Sequence, residues 1–238
     1  MLGSLQAGLM GVPASFVPTQ IAGCKLWLRG DLGITQSGGN VTAWADQSGT
    51  GNDAANSGTI PYVASSINGQ PGLTIAAGTG LTGNANPVTT GSARSTFVVA
   101  KGTNAAAYSL FCYRKTGAYW AAQMNYQTSF SYVETDGVAQ NNTITPGFNP
   151  GASNNIFQHG SDGVFTNPIK LWINNVSKTV TGTQLNTESG TAGYIVGNTA
   201  NFTQGWVGDI AEVIVYDTDL GSTDRNSVYS YLSARYAI

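Results

Sequence analysis

The sequence predicts an all-β sandwich or barrel finished by one C-terminal helix, and three observations predict it. Short runs of β-branched and aromatic residues recur along the chain, parted by clusters of Gly, Asn, Pro and Thr. Helical periodicity is almost absent before residues 220–236. The chain has 238 residues and 41% hydrophobic content, enough to bury one substantial core, and all-β domains of this length need not divide.

Residues 1–20, "MLGSLQAGLMGVPASFVPTQ", read as an N-terminal arm bounded by Pro13 and Pro18. Leu2, Leu5, Leu9, Met10, Val12 and Phe16 are its apolar anchoring candidates. The arm carries no Lys or Arg, and Gly and Pro interrupt any apolar run, so a secretory leader is not expected. No run approaches the ~20 apolar residues that span a bilayer, so no membrane partner is expected either.

Residues 21–238 read as one folded domain. Its clearest strand runs are "KLWLR" (25–29), "STFVVAK" (95–101), "YSLFCYR" (108–114), "YWAAQMNY" (119–126), "TSFSYVE" (128–134), "IKLWINN" (169–175), "GYIVGN" (193–198) and "GDIAEVIVYD" (208–217). In the last of these, strict alternation puts Ile210, Glu212, Ile214 and Tyr216 on one face and Ala211, Val213 and Val215 on the other. A strand apolar on both faces is expected to be central. In "LGSTDRNSVYSYLSARY", Ser222 or Thr223 is the expected N-cap and Asp224 suits the positive end of the helix dipole. Val228, Tyr231, Leu232 and the Arg235 to Tyr236 pair then repeat at the helical period.

Charged residues are only 9% of the chain, against a usual value of roughly 25%. The formal net charge is −2, and no cluster of Lys or Arg exists to displace counterions from phosphate, so nucleic acid is not an expected partner. Cys24 and Cys112 are too far apart in sequence to suggest a metal site, and each sits in an apolar run, so buried free thiols are expected. Trp27, Trp44, Trp172 and Trp206 read as core.

Several stretches together resemble a known family. They are "LWLRGDLGITQSGGNVTAWADQSGTGNDA", "YVASSINGQPGL", "TFVVAK", "LWINN" and the closing "GDIAEVIVYDTDLGSTDRNSVYSYLSARY". They resemble the laminin-G-like branch of the concanavalin-A-like lectin/glucanase superfamily, as found in bacteriophage virion proteins. The resemblance runs from about Ile21 to Ile238 and is thinnest over 103–165. It implies a two-sheet antiparallel jelly-roll sandwich with a short C-terminal α-helix. Some members of this family bind sugars and others only mediate contacts, so the site has to decide the function.

Five stretches are candidates for chemistry. In "AWADQSGTGNDA", Asp46 and Asp53 with Ser48 and Asn52 offer oxygens that a calcium ion takes, but the spacing misses the EF-hand template. Asp and Asn beside Gly are equally the residues of Asx turns, and that reading is preferred; no other cofactor is expected. A retaining glucanase needs two carboxylates about 5 to 5.5 Å apart. Here "ETDGV" offers Glu134 and Asp136 without the second glutamate that such enzymes carry, so Glu134 reads as a loop flank and no catalytic residue is expected. Glu212 stands alone in an apolar strand and reads as a structural acid held by a neighbouring loop, Arg29 or Arg225. His159 has no nucleophile beside it and reads as a surface or loop residue. "GAYWAAQMNYQTSFSY" brings Tyr119, Trp120, Tyr126 and Tyr132 together with Gln123 and Asn125, the rings and amides that a sugar-binding face uses. "RGD" at Arg29 to Asp31 reads as a strand end.

Two functions follow as expectations. The first is a non-enzymatic structural virion protein, a capsid decoration protein or head fibre. It would be made in the host cytoplasm, pinned to other virion proteins by its arm and displayed on the virion surface, as a trimer where it sits on a symmetry axis. The second is a glycan-binding module of a tail fibre or a stand-alone lectin. A glycoside hydrolase or lyase is a third.

Overall fold

The computed structural model describes residues 16–89, 91–102, 109–115, 118–126, 130–135, 140–145, 152–164, 167–181, 183, 193–199 and 202–238. At 115, 118–121, 123, 125, 126, 130–135 and 140–145 the description is of the backbone alone. The strands are β1 Cys24–Arg29, β2 Ile34–Ser37, β3 Asn40–Trp44, β4 Ala54–Ser57, β5 Tyr62–Ile67 and β6 Gln70–Ile75. They continue as β7 Gly80–Gly83, β8 Arg94–Gly102, β9 Ser109–Lys115, β10 Ala118–Tyr126, β11 Phe130–Thr135 and β12 Gln140–Thr145. The last are β13 Asn154–Ser161, β14 Lys170–Ile173, β15 Val176–Lys178, β16 Tyr194–Val196 and β17 Gly208–Tyr216, followed by the helix α1 Ser222–Tyr236.

These strands make two antiparallel sheets. One has the order β15-β14-β13-β8-β17-β6-β5, with β1 also paired to β17. The other runs β12-β11-β10-β9-β16-β7-β4-β3-β2. The expected all-β sandwich with one C-terminal helix is therefore the observed architecture. β17 is central: β8 lies along one side of it, while β6 and β1 share the other side in succession.

Two apolar layers hold the fold. Leu28, Val98, Phe157 and Val213 of the first sheet meet Trp44, Leu81, Phe111 and Tyr194 of the second between the sheets. On the outer face of the first sheet, Trp27, Phe97, Ile214 and Tyr216 are covered by Val228, Leu232 and Tyr236 of α1. A sheet buried on both faces needs near-continuous apolar strands, which is why β8 and β17 read as they do.

Alternation along β17 is broken in one place. A bulge between Ile210 and Glu212 opposite β8 inserts Ala211, so the face assignment from strict alternation is corrected. Ile210 joins Val213 and Val215 between the sheets, whereas Ala211 lies with Ile214 and Tyr216 under the helix. Three further expectations change. The N-cap of α1 is Gly221, without a side-chain cap, rather than Ser222 or Thr223. His159 is not a surface residue: it lies in β13, 1% exposed, and burial drives its pKa well below the usual value, with Arg94 adding to the effect. Trp172 is only half-buried, with the Arg225 guanidinium 4.2 Å above its ring.

Packing reaches back beyond residue 21. Pro18–Gln20 form a single 3-10 turn, and the buried Tyr216 hydroxyl donates to the Pro18 carbonyl at 3.0 Å. Phe16, expected to be an anchoring residue, packs inside the chain, edge-on to Tyr231 with ring centroids 6.1 Å apart. Leu2, Leu5, Leu9, Met10 and Val12 lie outside the described residues.

Candidate functional site

The 45–53 loop is built around the Asp46 carboxylate. Its Oδ1 accepts from the Trp27 and Ser48 N–H groups, each at 2.9 Å. Its Oδ2 accepts from Ser48 Oγ at 2.7 Å and from the Asn52 N–H at 3.0 Å, with the Thr50 hydroxyl 2.9 Å away. Asp53 accepts from the Asp46 N–H at 2.8 Å. The carboxylates thus serve as internal acceptors of a turn, an Asx arrangement extended over the whole loop. Among the described residues, no group of three or more His, Cys, Asp or Glu gathers as metal ligands do. The loop is tied outward as well. Asn52 Nδ2 donates to the Lys25 carbonyl at 2.8 Å, and the Tyr194 hydroxyl donates to the Asn52 carbonyl. Tyr194 reaches that far because residue 83 is glycine; a Cβ there would fall inside the tyrosine ring.

This loop sits at one end of the sandwich with several others. Cys24 pairs with Tyr216 and Tyr216 with Ser95 in the first sheet. Trp44 with Ala54, Ala54 with Gly83, Gly83 with Tyr194 and Tyr194 with Tyr113 step across the second. The ends of β3, β7, β9 and β17 and the starts of β1, β4, β8, β10 and β16 therefore lie on one rim. A cleft of about 480 Å³ opens there, lined by Lys25, Thr50, Asn52, Asn86, Thr89 and Asp217 among others. The Lys25 ammonium pairs with Asp217 at 3.2 Å across it, both side chains being partly exposed. Asn86 Nδ2 donates to the Arg114 carbonyl at 3.4 Å, while its Oδ1 is buried without a hydrogen-bond partner among the described residues. Sequence reasoning missed this cleft because Lys25, Asn86 and Asp217 are remote in the chain and each is unremarkable alone.

Glu212 is a different kind of group. It is 1% exposed, between β17 and α1. Its Oε1 accepts from Trp27 Nε1 at 2.7 Å and from the Tyr231 hydroxyl at 2.9 Å; its Oε2 accepts from the Tyr236 hydroxyl at 2.9 Å. Arg235, not Arg29 or Arg225, is the paired arginine, with Nε 3.4 Å from Oε2. Arg235 also meets Asp31 at 2.7 Å, and Arg29 grips the same carboxylate with Nε at 2.9 Å and Nη2 at 2.7 Å. Burial pushes the Glu212 carboxyl up to about 6 against the pull of its donors, whereas the Arg29 fork holds Asp31 down to about 2. This network cements the helix to the sheet, with the Glu212 side chain fully buried inside it. The "RGD" triplet is part of it.

The aromatic and amide strip falls on β10 and β11, adjacent strands with Met124 opposite Tyr132 and Gln123 opposite Val133. Ala122 and Met124 of β10 belong to the core between the sheets. The side chains of Tyr119, Trp120, Gln123, Asn125, Tyr126 and Tyr132 are outside the described residues, as are Asp136 and Glu188. Glu134 lies near the end of β11, opposite Ala122 and Asn141.

No protein-family model matches the chain, and no curated protein sequence matches it. Solved structures do match in fold. Domain 4 of AbnA, a GH43 extracellular arabinanase from Geobacillus stearothermophilus, in complex with arabinotriose, is similar at TM-score 0.63 and 15% identity, over 87% of this chain and 97% of that one. The receptor-binding domain of botulinum neurotoxin mosaic serotype C/D is similar at TM-score 0.64 and 13% identity, over 87% of this chain and 50% of that one. The likeness is that of a two-sheet antiparallel β-sandwich. Trypanosoma rangeli sialidase carries a similar sandwich, at TM-score 0.58 and 12% identity, over 90% of this chain and only 33% of that one. The neighbours thus include both glycoside hydrolases and toxin receptor-binding domains, and at such identities the likeness is one of fold.

Proposed function

We propose that the protein is a non-catalytic carbohydrate-binding module. The observation that carries this reading is the extent of the likeness to the arabinanase domain, 97% of a sandwich whose structure was solved with arabinotriose. The acids whose surroundings are described support it. Glu212 is sealed beneath α1, and Asp46 is occupied by its own loop. The adjacent strands β10 and β11, which carry Tyr119, Trp120, Gln123, Asn125, Tyr126 and Tyr132, are the part of the sandwich we assign to sugar binding, since rings on pyranose faces and amides on hydroxyls are the usual means of recognition. Glycan-array screening followed by calorimetry on the wild type, Trp120→Ala and Tyr126→Ala tests it. Saturable binding weakened by either substitution is expected. Absence of binding across neutral and acidic glycans would overturn the reading.

A second reading places this module on a virion, as a decoration protein or head fibre held to other virion proteins by its arm. The position of Phe16 supports it, because the residues before it join the body beside Tyr231 of α1. Co-sedimentation of the full chain and of residues 16–238 with phage capsids lacking the protein tests it. Pelleting of the full chain alone is expected, and failure of both removes the capsid role.

A further inference from the structure

We infer that the rim cleft between Lys25, Asn86 and Asp217 is a saccharide-binding site selective for uncharged, hydroxyl-rich rings. The inference deepens the carbohydrate-binding reading and rests on it, but it concerns residues outside the β10–β11 strip. The cleft's volume of about 480 Å³ suits a sugar unit or two, and falls within the roughly 300 to 1,000 Å³ range of ligand pockets. Such pockets are usually mostly apolar, yet in this one only Pro87 and Val88 are apolar and the rest of the wall is amides, hydroxyls and an ion pair. That lining suits a ligand whose own surface is polar.

Asn86 supplies the second, independent observation. Its Oδ1 is buried and without a hydrogen-bond partner among the described residues, although the same side chain's Nδ2 is engaged by the Arg114 carbonyl. Leaving such an acceptor unmet costs about 1 to 3 kcal/mol, and a ligand hydroxyl is a donor of the right kind. Asp217 and Lys25, 3.2 Å apart, offer an acceptor and a donor side by side, the pattern that two neighbouring sugar hydroxyls satisfy together. The pair cancels its own charge. Asp46, whose Oδ2 meets the Thr50 hydroxyl and the Asn52 N–H, and Asp53, which accepts from the Asp46 N–H, stand as two further carboxylates behind the Thr50–Asn52 wall. A carboxylated or sulfated sugar is therefore disfavoured.

The walls are preorganised. Thr50 and Asn52 are held by the Asp46 hub and by the Lys25 carbonyl, so little side-chain freedom is lost on binding. The cleft also lies at the end of the second sheet where β10 begins, Ala118 pairing with Lys115 next to Arg114.

The test uses the full chain, with arabinotriose and lactose as neutral probes and sialyllactose as the acidic one. Binding is followed by amide chemical shifts and by calorimetry. Neutral probes are expected to shift the Asn86 and Asp217 amides saturably. Asn86→Ala and Asp217→Asn should each weaken binding about tenfold, which corresponds to ~1.4 kcal/mol, with an unchanged melting temperature. Sialyllactose should bind more weakly than lactose. If Trp120→Ala abolishes binding while Asn86→Ala and Asp217→Asn keep wild-type affinity, the carbohydrate-binding function stands and the cleft assignment falls. A preference for sialyllactose, or the same amide shifts produced by calcium chloride and by no saccharide, also overturns the assignment. If no probe binds and no amide shifts, the function and the cleft fall together.

Discussion

Asp46 spends both carboxylate oxygens on its own loop, and that sets what its loss would do. Five N–H and O–H groups lie within 3.0 Å of it, and the Trp27 N–H among them ties the loop to β1. Asp46→Ala leaves donors at a partly buried site and should cost about 1 to 3 kcal/mol in urea unfolding. It should also weaken saccharide binding, because Thr50 and Asn52 lose their support. The wild-type melting temperature should be the same in EDTA and in calcium chloride. A calcium-dependent rise that Asp46→Ala abolishes would instead show the loop to be a metal site.

The helix-to-sheet contact has a pH signature. Glu212 titrates at about 6 when folded, above the ordinary 4.5 of the unfolded chain, because burial disfavours its charge. A carboxyl with a raised folded pKa stabilises the fold below the unfolded value and loses that contribution as pH rises from about 4.5 to about 6. His159 acts oppositely in part of the same range. Its folded pKa is depressed, so its contribution is present above 6.5 and is lost as pH falls below that. Asp31, at about 2 when folded, likewise contributes stability above 3.8 that is lost as pH falls to about 2. The two acids on the helix network therefore favour the fold most between about 4 and 4.5, and the informative quantity is a difference. Unfolding midpoints of wild type minus Glu212→Gln should fall between pH 4.5 and 6 and be flat above. A difference with no slope in that window would assign the titration to another group.

Across the whole molecule, the helix-covered face and the rim cleft belong to separate parts of the sandwich, and the N-terminal segment is joined to the former. A chain starting at Ile21 loses the Phe16 contact with Tyr231 and leaves the buried Tyr216 hydroxyl without its Pro18 acceptor. It should be less stable than a chain starting at Phe16 by about 1 to 3 kcal/mol. Equal urea midpoints for the two chains would show that residues 16–20 contribute nothing to the body. Sugar binding should survive either truncation, since neither removes a residue that lines the cleft.

How much of this was written in the sequence depends on the range over which each feature acts. Local patterns determined the all-β class, the central place of the 208–216 strand, the C-terminal helix and the turn character of the Asp46 loop, because alternation and Asx chemistry act over a few residues. The short strands between residues 34 and 83 were illegible, being rich in Gly, Thr, Ser and Asn and stabilised mainly by their neighbours. Only the tertiary structure decided the rest. The bulge at Ala211 moved Ile210 into the core, a half-turn of alternation that composition cannot register. The choice of Arg235 as partner of Glu212, the burial of His159 and the meeting of Lys25, Asn86 and Asp217 at one rim all follow from how β17 sits among β8, β6 and β1. Hydrogen bonding and burial across such separations are set by sheet order and register, and no stretch of neighbouring residues carries that information.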